Sequence, residues 1–233
     1  MAAEPATTRY LRDSILLGLA VGIFAVGFGV LATTSGLTVA QTCAMSVLVF
    51  TGASQFAAVG VIGAGGDPAT AIGSALLLGA RNSFYGMTMS SRIHGSALKR
   101  AVGAQLTIDE STAMAVGQTD PEDVEPAFWA SGISVFVFWN IGTLVGALGG
   151  NAIPDPLDLG LDAAFPAGFV ALMMPALRQR PGLVSALSGA AIAVVSIPFT
   201  RPGVPILLAG VGAVVAYRLA GPPPATSSEG GPQ

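Results

Sequence analysis

No charged side chain interrupts the chain between Ser14 and Gly66, a run of fifty-three mostly apolar residues. A helix that crosses the hydrocarbon core needs about 20 apolar residues, so the run holds two membrane-sized units, 14–34 and 39–63. Further apolar segments lie near 69–90, 101–118, 127–150, 163–177, 183–199 and 204–217. The segments 14–34, 39–63, 69–90 and 127–150 are long enough to span. The last three are short for about 30 Å at about 1.5 Å per residue. Pro166, Pro175, Pro198 and Pro205 predict breaks or tilts among them. The pattern predicts an all-α, polytopic integral membrane helix bundle of about seven crossings, with one or more helices broken or re-entrant.

Composition agrees. The 233 residues are 52% hydrophobic and 10% charged, with mean hydropathy +0.70. Soluble domains carry about 25% charge, so a water-soluble fold is excluded. The net charge of −3 says little, because the charges cluster in a few loops. The 31 glycines suit transmembrane helices whose backbones approach closely. One cysteine, Cys43, rules out an intramolecular disulfide and a cysteine-rich metal site, and reads as a small apolar residue within a span. His94, the one histidine, lies beside Arg92 in a loop, so no histidine-based zinc site or catalytic dyad is expected. It could serve as a surface pH-sensitive group. No metal, cofactor or nucleic-acid partner is expected.

Arg9 and Arg12 precede the first unit as a signal-peptide n-region would. Ser14 to Ala32, however, exceeds the usual h-region of about 7–15 residues, so it reads as a retained first helix. Gly221 to Gln233, with Pro222-Pro223-Pro224, reads as a disordered end. The expected organisation is an N-terminal cytoplasmic segment, 1–13, a transmembrane domain, 14–218, and a C-terminal tail, 219–233.

Orientation poses a conflict. The basic loop Arg92, Lys99 and Arg100 belongs in the cytoplasm by the positive-inside rule, and so do Arg9 and Arg12. Three simple crossings would put the two clusters on opposite faces. A hairpin at 39–63, dipping in and turning back at Gly52-Ala53-Ser54-Gln55, would remove the conflict. The acidic loop Asp120, Glu122, Asp123 and Glu125 reads as a solvated external turn. Asp155, Asp158 and Asp162 form a looser acidic connection, which lacks the calcium-loop pattern.

An ionised group at mid-bilayer costs about 2.5–3.5 kcal/mol on insertion scales, so such groups face protein or a wet cavity. Three qualify: Arg81, Asp109 and Glu110. On one helix through 69–90, Ser74, Arg81, Tyr85 and Thr88 share a face that could line a cavity. Alternatively, Arg81 snorkels to an interface or neutralises an acid structurally. On one helix through 101–118, Gln105, Asp109 and Thr112 share a face, with Glu110 about 100° away. Adjacent carboxylates in low dielectric cannot both ionise cheaply, which is the chemistry of a proton carrier. The alternative is a short amphipathic surface helix with both acids in water.

The Gly52–Gln55 interruption has two readings as well. A broken helix can point its half-helix N-terminus at a substrate carboxylate, with Ser54 and Gln55 adding donors. Otherwise the two polar side chains bond across a helix contact. Gly18/Gly22 and Gly142/Gly146/Gly150 are small-residue packing faces. Asn140, after Trp139, is a candidate pathway residue or a single helix-to-helix bond.

Taken in order, these polar islands resemble the AzlC-type family of branched-chain amino acid exporters over roughly 14–217. Met45 to Ala58, reading MSVLVFTGASQFAA, is similar to the family's LVFAGAAQFAA stretch. Arg81-Asn82-Ser83-Phe84-Tyr85-Gly86 resembles its LRHLLYG, and Thr107-Ile108-Asp109-Glu110 its TDE with one residue inserted. Pro154 to Pro166 resembles its PDPLGLDFALPA connection. Asn82 replaces the family's histidine and Ser54 its alanine, which makes the pocket more polar.

The resemblance implies proton-driven export of leucine, isoleucine, valine and often methionine from the bacterial cell membrane, with a small hydrophobic AzlD-type subunit as partner. Gly52, Ser54, Gln55, Phe56, Arg81, Asn82 and Tyr85 would then bind substrate, and Asp109 and Glu110 would couple protons or hold Arg81. Gln105, Thr112 and Asn140 are the candidate pathway residues. A non-transporting scaffold or channel subunit is the alternative. An intramembrane enzyme is less favoured, since no activated nucleophile with a histidine partner is present.

Overall fold

The computed structural model describes residues 5–150, 170, 173–174 and 176–220, and no strand occurs among them. The connection carrying Asp155, Asp158 and Asp162, the 154–166 resemblance and the tail from Gly221 lie outside the described residues. The chain divides into two units, Met1–Phe165 and Pro166–Gln233.

In the first unit, α1 (Ala6–Thr34) and α8 (Pro121–Gly150), of 29 and 30 residues, are long and apolar enough to cross a membrane. They pack in parallel. Gly18 meets Ser134 and Phe138, Gly22 meets Phe138 and Gly142, Val26 meets Gly146, and Val30 meets Gly150. A Cβ on Gly22 would lie 2.9 Å from the Phe138 carbonyl oxygen, so only glycine allows this approach. The two small-residue faces are thus one contact, facing each other. Large aliphatic groups point outward: Leu16, Ile23, Ile141 and Leu148 are all exposed. A contiguous apolar exterior of this kind suits lipid.

Between these helices the apolar segments are cut into halves. The unit 39–63 forms α2 (Val39–Val49) and α3 (Ala53–Gly63). Thr38 and Gln41 cap α2 reciprocally, a capping box legible in the sequence. At its middle, Ser46 donates to Thr143 of α8 at 3.1 Å. Phe50 then stacks edge-on with Phe136, at 4.9 Å between ring centroids. The chain turns back there, because Phe56 meets Phe28, and a Cβ on Gly63 would lie 2.6 Å from Ser35 Oγ. Thr38 and Gly63 therefore sit at the same end of α1. Each half has 11 residues, about half the length that crosses a bilayer. Single cysteines at Thr38 and Gly66, in a Cys43→Ala background, are expected to react with an impermeant reagent from the same side of the membrane. Reaction from opposite sides would overturn the hairpin.

The segment 69–90, expected as one helix, is two. α4 (Pro68–Gly79) runs antiparallel to α3, so that a Cβ on Gly79 would lie 3.8 Å from Ser54 Oγ, and α5 (Arg81–Ser90) continues beyond a joint at Ala80. Asp67 caps α4: its carboxylate accepts the Thr70 hydroxyl at 2.7 Å and the Thr70 amide at 3.0 Å. Those bonds hold its carboxyl below the usual carboxylate range.

The segment 101–118 is also two helices, α6 (Ala97–Gln105) and α7 (Asp109–Val116). Gln105, Asp109 and Thr112 therefore do not share one helix face. Hydroxyls hold this second break. Thr107 donates to Gly103 O at 2.7 Å, and Ser111 Oγ donates to Leu106 O at 2.6 Å while accepting Ile108 N–H at 3.1 Å. The Gly103 and Leu106 carbonyls and the Ile108 amide thus find side chains at the break, which lowers its cost inside a membrane protein.

The acidic loop is solvent-exposed at Asp120 and Glu122, and it stands beside the basic loop. Glu125 pairs with Lys99 at 2.7 Å and accepts from Trp129 Nε1 at 3.2 Å, with Lys99 Nζ 5.9 Å from the indole centroid. Acidic and basic loops share one end of the first unit, together with the N-terminus of α1. This is the basic end. The two hairpins enter from opposite ends, 39–63 from the far end and 97–116 from the basic end.

In the second unit, α9 (Arg180–Ser196) extends through the turn Ile197–Phe199, and the 20 residues are long and apolar enough to cross. The sequence pattern makes this segment three residues shorter, because Arg180 and Pro181 open the helix before its apolar run. α10 (Val204–Ala209) and α11 (Val211–Ala220) follow, joined at Gly210. Gly189 and Gly212 touch: a Cβ on Gly212 would lie 2.6 Å from Gly189 N.

Candidate functional site

The first break is built by two residues. Gly52 has φ +60° and ψ −93°, a backbone region open to glycine alone, and it starts α3. Gln55, fully buried, spans the turn: its Oε1 accepts Gly52 N–H at 3.2 Å and its Nε2 donates to Met45 O at 3.1 Å. Thr51 and Ser54 hydroxyls bond to each other across the same turn. Gln55 is therefore a strut of the hairpin tip, and Ser54 a hydroxyl presented beside the α3 N-terminus.

The two hairpin tips meet. Gln105, the last residue of α6, donates from Nε2 to Val47 O at 2.9 Å, a carbonyl in the last turn of α2. At the second tip, α7 begins with Asp109 and Glu110, acids that complement the positive end of a helix dipole. Arg81, the first residue of α5, pairs with Asp109 at 3.0 Å. The two side chains remain 40% and 42% exposed, so the pair is reachable. Arg81 thus faces the acid across the two tips, as one of its sequence readings held, and Tyr85 stands one turn further along α5.

A groove of about 980 Å³ opens between α2, α3 and α4. Met45, Ala58, Ile62, Ala71, Ile72 and Leu76 form apolar walls, and Thr51, Ser54 and Ser83 supply hydroxyls at its inner end. Ala80 and Ser83, on either side of Arg81 in the chain, line that same end. An apolar cleft with a few convergent polar groups is the usual form of a small-molecule site. A second cavity of about 910 Å³ lies at the basic end, lined by Arg92, His94, Lys99, Glu125 and Trp129.

Several expected site residues lie elsewhere. Phe56 is 5% exposed and packs with Phe24, Phe28 and Trp139 in an aromatic cluster, not on the groove. Asn140 donates to Phe136 O on its own helix, 2.8 Å away, and bonds to no other helix among the described residues. Among the described residues the buried Asn82 Oδ1 and the Trp139 indole N–H have no hydrogen-bond partner, and the Trp139 ring lies 3.8 Å from where a Gly52 Cβ would stand. Sequence reasoning missed Thr51, Ser83 and Ser111. Thr51 adjoins the glycine break, and Ser111 sits at the third position of a helix, a capping signal that could have placed the second break.

Two membrane-length helices in glycine contact, with half-length hairpins whose tips meet around an arginine–carboxylate pair, define a polytopic membrane protein with a candidate solute site. The family model described as AzlC protein matches residues 16–153, and the chain belongs to the AzlC family. It is 24% identical over 222 residues to the branched-chain amino acid transport protein AzlC of Bacillus subtilis (strain 168), covering 93% of this chain and 84% of that protein. It is 27% identical over 219 residues to an uncharacterized membrane protein of Helicobacter pylori (strain ATCC 700392 / 26695), covering 93% and 92%. It is 26% identical over 189 residues to the inner membrane protein YgaZ of Escherichia coli (strain K12), covering 77% of each. No solved structure matches the chain. These relatives and the apolar helices place the chain in a bacterial membrane.

Proposed function

We propose that this chain is the large subunit of a secondary transporter that exports branched-chain and other hydrophobic amino acids, such as methionine, coupled to protons. A small hydrophobic AzlD-type membrane subunit completes it. The observation that carries the reading is the groove whose inner end, at Thr51, Ser54 and Ser83, adjoins the reachable Arg81–Asp109 pair. An aliphatic side chain suits the walls, and a carboxylate suits the hydroxyls, the α3 N-terminus and the Arg81 guanidinium. The transport protein of Bacillus subtilis, similar over nearly the whole chain, supports the same substrate class.

In this mechanism the hairpin tips are the moving parts. Substrate binds at the tips, its carboxylate competes with Asp109 for Arg81, and the bond from Gln105 to Val47 O opens and closes as the tips part. Glu110, which forms no ion pair among the described residues, is the group that takes up the coupling proton. The protein is a transporter rather than an enzyme. By the positive-inside rule the basic end faces the cytoplasm.

An efflux assay tests this. Cells loaded with dipeptides of leucine, isoleucine, valine, methionine or lysine are compared with and without co-expression of this chain and an AzlD-type subunit. Leucine, isoleucine, valine and methionine should leave faster, and lysine should not. Unchanged efflux of all four with both subunits in the membrane would overturn the reading.

A further inference from the structure

The cavity at the basic end takes no part in the groove or the hairpin tips, and its charges stand on a fixed floor. Ile93 is 7% exposed and anchors the loop after α5: a Cβ on Gly103 of α6 would lie 3.2 Å from Ile93 and 3.6 Å from Trp129. Arg92 and His94, on either side of Ile93, line the cavity. On the α8 side, the Glu125 carboxylate is engaged twice, by Lys99 at 2.7 Å and by the Trp129 indole N–H at 3.2 Å. These bonds neutralise Lys99 and Glu125 and hold the indole in place.

What remains is one charge of each sign. Arg92 and Glu122 line the same cavity, both exposed to water, and neither has an ion-pair partner among the described residues. One Arg92 N–H donates to the Thr88 carbonyl oxygen, which steadies the side chain and leaves its other guanidinium donors open. Val124, Pro126 and the Trp129 ring supply apolar surface in the same cavity. Its volume, about 910 Å³, lies within the roughly 300–1,000 Å³ of small-molecule pockets. A simple anion would be left facing Glu122, and a simple cation would be left facing Arg92. A zwitterion satisfies both.

We propose that this cavity is a capture site for neutral, hydrophobic amino acids, distinct from the groove. The ligand carboxylate pairs with Arg92, with His94 as a further donor, the ammonium pairs with Glu122, and the aliphatic side chain lies on Trp129. α5 joins the two sites. Ala80 and Ser83 at its start line the groove, while Ser91 and Arg92 just past its end line the cavity. Ten residues of helix span about 15 Å, so a solute held here stands about that far from Arg81. Exposed side chains hold each charge, so binding is weak and release quick, as suits a site that gathers solute ahead of a deeper one. A phosphatidylethanolamine headgroup carries the same two charges, but it has no apolar group to set against the indole. Naming the ligand as the transported solute, taken from the cytoplasm, rests on the exporter reading above.

Fluorescence of the full chain in detergent tests the site, with Trp139→Phe leaving Trp129 as its one indole. Leucine should shift the Trp129 emission saturably. Isoamylamine, which lacks the carboxylate, and isocaproate, which lacks the ammonium, should not do so at the same concentration. Arg92→Gln and Glu122→Gln should each raise the half-saturating leucine concentration about tenfold, or about 1.4 kcal/mol. An unchanged titration in the double variant overturns the site, and so does an equal response to isocaproate. A stronger response to phosphoethanolamine than to leucine overturns it too, in favour of a lipid headgroup. Where Trp139→Phe does not fold, Ser91→Cys in a Cys43→Ala chain gives the same reading through leucine protection from maleimide. Arg81→Ala should leave the Trp129 titration unchanged. A normal titration in a parent chain that exports nothing keeps the site and sinks the exporter reading, whereas efflux without any leucine response at Trp129 sinks the site alone.

Discussion

Arg81→Ala is expected to cut efflux by about 10–100-fold, because the guanidinium is the one cation at the meeting of the hairpin tips among the described residues and a charge-assisted hydrogen bond contributes about 1.5–3 kcal/mol. The loss has two sources that a second variant separates. Removing Arg81 leaves the Asp109 carboxylate without its partner at the hairpin tips, at membrane depth, which lowers the amount of folded protein. Arg81→Ala combined with Asp109→Asn removes that unpaired charge. The double variant should recover membrane abundance while efflux stays low. Recovery of efflux as well would mean that Arg81 only neutralises Asp109 and does not meet substrate. Glu110→Gln should differ from both, keeping abundance and exchange of substrate across the membrane but losing the dependence of efflux on pH. The readouts are abundance by fluorescence-detected size exclusion and efflux at two external pH values.

The largest effect on folding should come from the α1–α8 contact. A Cβ on Gly146 would overlap the Val26 carbonyl oxygen and lie 2.7 Å from its carbon, and neither is a side-chain end that can swing away. Overpacking of this kind typically costs about 1–3 kcal/mol where side chains can adjust, and more against backbone. Gly146→Leu should therefore abolish the monodisperse species in detergent or lower its melting temperature sharply. Gly149→Ala is the control. It lies on the same turn, a Cβ there meets nothing within 4 Å, and the variant should melt like the parent. If the two variants melt alike, the close parallel approach of α1 and α8 is wrong.

Much of this architecture was legible in the chain. The uncharged run from Ser14 to Gly66 announces a membrane protein, because charge is too costly in hydrocarbon to be misplaced. Gly52 and Gln55 suggested a break within an apolar run, beside the reading of a polar helix contact, and the backbone of Gly52 shows the break. Even the turning back of 39–63 followed from counting basic clusters. The second break was harder to see. In Ala97–Val116 the polar residues repeat at helical spacing, and that periodicity suggested one continuous face through Gln105, Asp109 and Thr112. The hydroxyls of Thr107 and Ser111 compete for the backbone there and win, so the pattern persists while the helix does not.

By itself, then, the sequence determined the solvent, the helical content, the glycine faces and the identity of the rare charges. These are local properties, set by the free energy of moving each side chain from water to lipid. Only the tertiary structure decided the pairings. It set Arg81 against Asp109 and Gln105 against an α2 carbonyl, brought Glu125 to Lys99, and moved Phe56 from the expected site into an aromatic cluster. Those outcomes depend on which half-helices turn back and at what depth. That choice is made by contacts between residues far apart in the chain, such as Ser46 with Thr143, Gln105 with Val47 and Gly132 with Leu106, and no single segment encodes it.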